Sequence, residues 1–148
     1  MPDPFATESL GDEAFYVVLP SRHRLARKKE IELKALKGTT LVSLPTESRT
    51  RRIIDGAAAT AGFSFRHAVT VNQFATLYSF VRNGVGLTIV PDGARPPAND
   101  RELLSRPLIR PRVSREIGIV RFRGRELTPA ASGLLELVRE RLRRPRRL

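Results

Sequence analysis

Residues 71–91, VNQFATLYSFVRNGVGLTIVP, carry a helix, its stop and a buried strand in one stretch. Asn72 is a capping residue type, and Phe74, Leu77, Tyr78 and Val81 follow at i, i+3, i+4 and i+7, the spacing that lays one apolar stripe along a helix. Gly84 stops that helix. Residues 86–90 form an apolar run of the kind found where both faces of a strand are covered, and Pro91 closes it. The Gly84-Val85-Gly86 turn lies after a helix and before a strand, the reverse of the order that cradles a dinucleotide phosphate, so it reads as punctuation.

The same grammar repeats upstream. Residues 14–19 read as a strand ended by Pro20, and a basic connection leads to a short helix over 32–37 stopped by Gly38. Residues 39–44 are the next strand, ended by Pro45. Thr46 and Ser48 are both N-cap types, and a helix over 49–61 follows, with Ile53, Ile54, Ala57, Ala58 and Ala61 at core spacing and Gly62 as its stop. Residues 65–71 complete the series. Downstream, the loop DGARPPAND precedes strands over 102–109 and 116–122 joined by a turn around Pro111. Thr128 and Pro129 then open an amphipathic helix through Ala131, Leu134, Leu135, Val138 and Leu142. Residues 1–13 read as an acidic lead-in.

Strands alternating with helices of this length predict an α/β fold: a mainly parallel five-stranded sheet flanked by helices, plus a C-terminal amphipathic helix. In such sheets ligands bind beyond the carboxyl ends of the strands. Here that edge is made by Pro45, Thr46, Glu47, Ser48 and Arg49, by Asn72, Gln73 and Phe74, and by Pro91 and Asp92. Helix starts offer free N–H groups and a positive dipole end, which suit an anion or carboxylate, although the same hydroxyls serve equally as ordinary caps. Glu47 opposes a strongly anionic ligand unless Arg49 pairs with it.

Composition limits the chemistry. The 148 residues contain no Cys and two His, His23 and His67, which argues against thiolate zinc, redox pairs, cysteine nucleophiles and multi-histidine metal sites; no metal or cofactor is expected. No phosphate loop or nucleophile-elbow motif occurs, and neither histidine has identifiable catalytic partners, so no enzymatic activity is expected. No apolar run approaches the roughly 20 residues of a membrane span, and the expectation is a soluble cytoplasmic protein. The net charge of +12 suggests a nucleic acid, but its distribution does not support that directly. Residues 1–105 carry a net +3 and residues 106–148 a net +9, part of it the run Arg139, Arg141, Arg143, Arg144, Arg146 and Arg147 at a helix end.

Three blocks together resemble the effector-binding region of LysR-type transcriptional regulators. FYVVLPSRHRLARKKEIELKAL (15–36) is similar to the family's strand, His-Pro-Leu-like loop and short helix, with Arg24 where proline is usual. VNQFATLYSFVRNGVGLTIVP (71–91) is similar to its Gly-x-Gly and strand-proline signature, with Arg82 and Asn83 in place of two alanines. ELTPAASGLLELV (126–138) is similar to its closing helix. The resemblance implies a type II periplasmic-binding-protein-like fold of two lobes with an effector cleft. Residues 14–122 correspond to the second lobe, and residues 123–148 to a helix and Arg-rich tail that pack on the first. It further implies a small-molecule effector, a carboxylate or an aromatic metabolite, touching Thr46, Glu47, Ser48, Arg49, Asn72, Gln73 and Phe74. Promoter DNA is expected to be bound only through an N-terminal winged helix-turn-helix not among these residues, and the family forms homo-oligomers. Two other readings of the residues stand beside it: a stand-alone small-solute-binding lobe, and a basic nucleic-acid-binding protein using Arg106 to Arg147.

Overall fold

In the computed structural model, which describes residues 4–143, strand alternation separates two cores on opposite faces of one sheet. Strand β1 (Phe5–Pro20) sends Phe15, Val17 and Leu19 to one face and Val18 to the other. Strand β3 (Thr40–Ser43) does the same with Leu41 and Val42, and β5 (Thr88–Pro91) with Ile89 and Val90. The first face is covered by helix α1 (Arg49–Thr60) through Ile54 and Ala58, and by two 3₁₀ turns, Arg24–Arg27 and Leu33–Leu36. Helix α2 (Phe74–Arg82) covers the second through Leu77, Tyr78 and Val81. Each helix stops where its sequence predicts, with Gly62 and Gly84 at φ +82° and +76°, a backbone region that costs glycine no Cβ clash.

The fold is the expected α/β arrangement, with a sheet that is mixed rather than purely parallel. Strand β1 lies between β5 and β6 (Leu103–Ile109) and runs antiparallel to both. The short β2 (Ile31–Glu32) is parallel to β6, and β3 is parallel to β4 (Arg66–Thr70). A parallel bridge between Leu41 and Leu87 sets the β3–β4 pair beside β5. Every strand of this unit except β1 therefore points the same way. Apolar alternation fixes which face a side chain takes but says nothing about its strand's neighbours or direction.

The chain forms two compact units, and their boundaries differ from the expected segments. The larger is Glu13–Arg115. The smaller takes residues 4–12 and 116–143, so residues 5–13 are no lead-in but the first part of β1, and residues 116–122 do not belong with the larger unit. They lie in β7 (Ser114–Phe122), which pairs with β1: Phe5 packs on Phe122 and Gly118 sits under the Glu8 carbonyl. In the smaller unit the Thr128 hydroxyl caps helix α3 (Pro129–Arg143) by accepting from the Ala131 N–H at 3.2 Å, as expected. Arg139 of α3 grips the Glu8 carboxylate with two hydrogen bonds of 2.8 and 2.5 Å. Leu134 and Leu137 on the same helix remain over three-fifths exposed. Arg144, Pro145, Arg146 and Arg147 of the predicted tail lie outside the described residues.

Candidate functional site

Parallel pairing of β3 and β4 brings two helix starts to one edge. Ser43 is opposite Thr70, and the Val71 N–H donates to the Ser43 carbonyl at 2.9 Å, so the carboxyl ends of the two strands are side by side. Each end leads directly into a helix: residues 44–48 into α1, residues 71–73 into α2. Thr46, Glu47, Ser48 and Arg49 thus share an edge with Asn72, Gln73 and Phe74. Thr46, Glu47, Arg49, Asn72 and Gln73 are exposed, while Ser48 and Phe74 are half-buried.

The caps differ from expectation in a way that matters for binding. Ser48 is the N-cap of α1, but its hydroxyl makes no capping bond, and Thr46 instead donates to the Glu47 carboxylate at 3.2 Å. The N-cap of α2 is Gln73 rather than Asn72, again without a side-chain cap. Both helix starts therefore keep their first-turn N–H groups open. The first turn of α1 contains no acid and carries Arg49, Arg51 and Arg52, cations at the end of a helix where the dipole already favours an anion. Arg51 is committed: it donates to Asp55 at 2.5 Å and to the Leu44 carbonyl at 3.2 Å, fastening the loop that leads into α1. Glu47 forms no ion pair with Arg49; its bond is to Thr46, outside the first turn.

Two polar networks beside this edge were not legible in the sequence. Ser43 on β3 bonds His67 Nδ1 on β4 at 2.6 Å, and His67 Nε2 is 3.3 Å from Asp55 on α1. Burial, reinforced by the Arg51 charge and opposed by Asp55, holds the His67 imidazole below its ordinary value, so it is neutral near pH 7. A neutral ring can donate from Nε2 to Asp55 and accept the Ser43 proton at Nδ1. The residue types are those of a hydrolytic triad. However, Ser43 is 6% exposed beside a cavity lined by Leu41, Leu44, Ile54 and Ile89 that is too small for a substrate. The network fastens β3, β4 and α1 together and satisfies the His67 ring on its strand.

The second network joins Glu13, Gly93, Thr50 and Arg115. The Glu13 carboxylate accepts from the Gly93 N–H at 2.6 Å and from Arg115 Nε at 2.7 Å, and the same guanidinium donates to the Thr50 hydroxyl at 3.3 Å. Thr50 is in the first turn of α1 and Gly93 follows β5, so both ends of the network lie at the strand-end edge. Their only signal in the sequence is an acid and an arginine at the ends of strand-like runs. Tyr78 of α2 adds a tie to the loop after β5: its hydroxyl donates to the Ala94 carbonyl, and burial pushes its phenol up to about 12.

Comparison with known proteins places this geometry in a family. The family model described as LysR substrate binding domain matches residues 1–143. Among curated proteins, the transcriptional dual regulator GltC of Bacillus subtilis is 27% identical over 129 residues, covering 87% of this chain and 43% of that protein. The chain spans less than half the length of the curated relatives it matches. Among solved structures, the Synechocystis CcmR regulatory domain in complex with 2-PG superposes with a TM-score of 0.82 at 14% identity, over 97% of this chain and 70% of that one. The effector binding domain of QuiR in complex with shikimate gives 0.77 at 17% identity, over 95% and 66%. At these identities the structures establish the fold, that of LysR regulatory domains, which agrees with the two-faced α/β unit and closing helix described above. With the family model covering nearly every residue, the chain belongs to the LysR substrate-binding domain family.

Proposed function

We propose that the larger unit forms one wall of a small-molecule effector site in a LysR-type regulator, built from Thr46, Glu47, Ser48, Arg49, Asn72, Gln73 and Phe74. The observation that carries this reading is the pair of side-by-side helix starts, both uncapped by side chains and without an acid in the first turn, one of them rich in arginine. Such an edge suits a carboxylate: N–H groups and the Ser48 hydroxyl meet the oxygens, Arg49 supplies charge, and Phe74 offers an apolar surface for the rest of the molecule. The QuiR domain is solved in complex with shikimate, a small carboxylate. Transcription regulators are the family's members, and the chain is read as a sensor without enzymatic activity. Promoter recognition is assigned to a segment of a longer protein, acting in the cytoplasm as a homo-oligomer.

Four of the arginines that a basic nucleic-acid reading would use are already engaged within the protein. Arg106 is bound to the Ala26 and Lys28 carbonyls, Arg110 to Glu32, Arg115 to Glu13 and Arg139 to Glu8. Of these, Arg110 keeps its side chain 76% exposed, and Arg112, Arg121 and Arg125 are exposed as well, so the free basic surface is reduced rather than removed. Titration calorimetry with shikimate and a panel of small carboxylates tests the effector reading. Ser48→Ala is expected to weaken a carboxylate that binds the wild-type chain by about 3- to 10-fold, the worth of one hydrogen bond. Unchanged affinity removes the α1 start from the site.

A further inference from the structure

The larger unit begins at Glu13 and ends at Arg115, and these two residues are bonded to each other. The chain passes out of the unit twice, through β1 and through β7, and the ion pair ties the two strands together at those points. It reaches further in two directions. Through Glu13 it holds the Gly93 N–H in the loop after β5, and through Arg115 it holds the Thr50 hydroxyl in the first turn of α1. The Glu13 side chain is 10% exposed and Thr50 is 5% exposed, so the carboxylate and the hydroxyl are largely shielded from competing water, while the Arg115 side chain that joins them is 32% exposed. An arginine is suited to this position because its planar fork can serve a carboxylate with one nitrogen and a hydroxyl with another, which a lysine ammonium does less well.

We infer that the Glu13–Arg115 pair is a clasp that couples the first turn of α1 and the loop after β5 to the two strands by which the chain leaves the larger unit. Glu13 and Arg115 act as positioning residues. A change at the α1 start, where Thr50 follows Ser48 and Arg49, moves the partner of Arg115, and the guanidinium carries that shift to the backbone of β1 and β7. The regulatory meaning of the clasp rests on the effector site proposed above; the clasp itself does not, and it is tested without any ligand.

The test is amide hydrogen exchange of the full chain under conditions where global unfolding is negligible, with the buried turn of α2 as internal control. Thr50→Val removes the acceptor with little change of shape. Exchange at Gly93 and across Ser114–Phe122 is expected to quicken about tenfold while α2 is unchanged. Reciprocally, Glu13→Gln keeps an acceptor for Gly93 but removes the ion pair, and exchange at Arg52, the first bonded amide of α1, is expected to quicken by a similar factor. Arg115→Lys is expected to retain the Glu13 contact but to quicken Arg52. Faster exchange confined to α1 in Thr50→Val, or an unchanged Arg52 in Glu13→Gln, overturns the coupling. Each variant reads it independently if the other fails to fold.

Discussion

Replacing Phe15 with alanine is expected to lower the stability of the larger unit by about 3–5 kcal/mol, the largest loss of any single truncation proposed for this chain. The side chain is fully buried and packs in the core that α1 closes, together with Val17, Leu19 and Ile89. Its backbone is fixed as well: Phe15 lies opposite Pro91 across the β1–β5 pair, and its N–H donates to the Val113 carbonyl at 3.2 Å. The surrounding strands therefore cannot collapse into the space a removed ring leaves. Urea unfolding followed by tryptophan-independent probes such as far-ultraviolet circular dichroism measures the loss. Phe122→Ala is the matched control, because that ring is 52% exposed and its removal is expected to cost about 1 kcal/mol or less. Equal losses in the two variants would contradict the assignment of Phe15 to the core.

Gly86→Ala is expected to cost about 2–3 kcal/mol for the opposite reason, too little room. A Cβ at this position would stand 2.7 Å from the Thr40 carbonyl oxygen and 3.3 Å from the Leu41 carbonyl carbon. Both are backbone atoms of β3, so no side chain can rotate away. The close approach exists because Leu87 donates to Thr40 at 3.0 Å and Val42 donates to Leu87 at 2.8 Å, the contacts that set the β3–β4 pair against β5. The proposed effector wall sits on the ends of β3 and β4, so the substitution is expected to loosen that wall along with the sheet. Alanine at Gly84 offers a comparison: its Cβ meets nothing within 4 Å, and the cost there comes from φ +76° alone.

The contrast between these glycines shows what the sequence could reveal. Gly84 is readable as a helix stop because the signal is local: an apolar stripe at Phe74, Leu77, Tyr78 and Val81 ends and a glycine follows. The role of Gly86 is set by Thr40, and no pattern in the chain links the two. The same division runs through the whole fold. Helices α1 and α2, strands β3 to β7 and the Thr128 cap follow from periodicity and punctuation. Strand order, the reversed direction of β1 and the division into two units depend on partners distant in sequence. The first part of β1 escaped notice because its inward positions are Ala6, Glu8 and Leu10. An acid stands in the middle of that apolar alternation, and the arginine that satisfies it is Arg139, 131 residues away.

The site divides in the same way. The edge proposed for it was legible because a proline-ended strand followed by Thr46 and Ser48, and a strand followed by Asn72, mark where helices begin, and helix starts at strand ends are where α/β sheets bind ligands. What distinguishes this edge was not legible. Residue type made Ser48 and Asn72 look like caps, whereas neither side chain caps a helix, and Gln73 takes the position assigned to Asn72. The clasp was hidden for the reason that hid Arg139: Glu13 and Arg115 are separated by 102 positions, and each looks unremarkable alone.

The central claim is that an anionic effector sits at the paired starts of α1 and α2. Amide chemical-shift mapping of the chain titrated with shikimate and the small-carboxylate panel tests it most directly. For a carboxylate that binds, the largest shifts are expected at residues 46–51 and 72–76, with Arg115 and Gly93 following through the clasp and residues 134–142 of α3 unaffected. Shifts concentrated on α3, or binding that leaves 46–51 and 72–76 unmoved, would contradict the account.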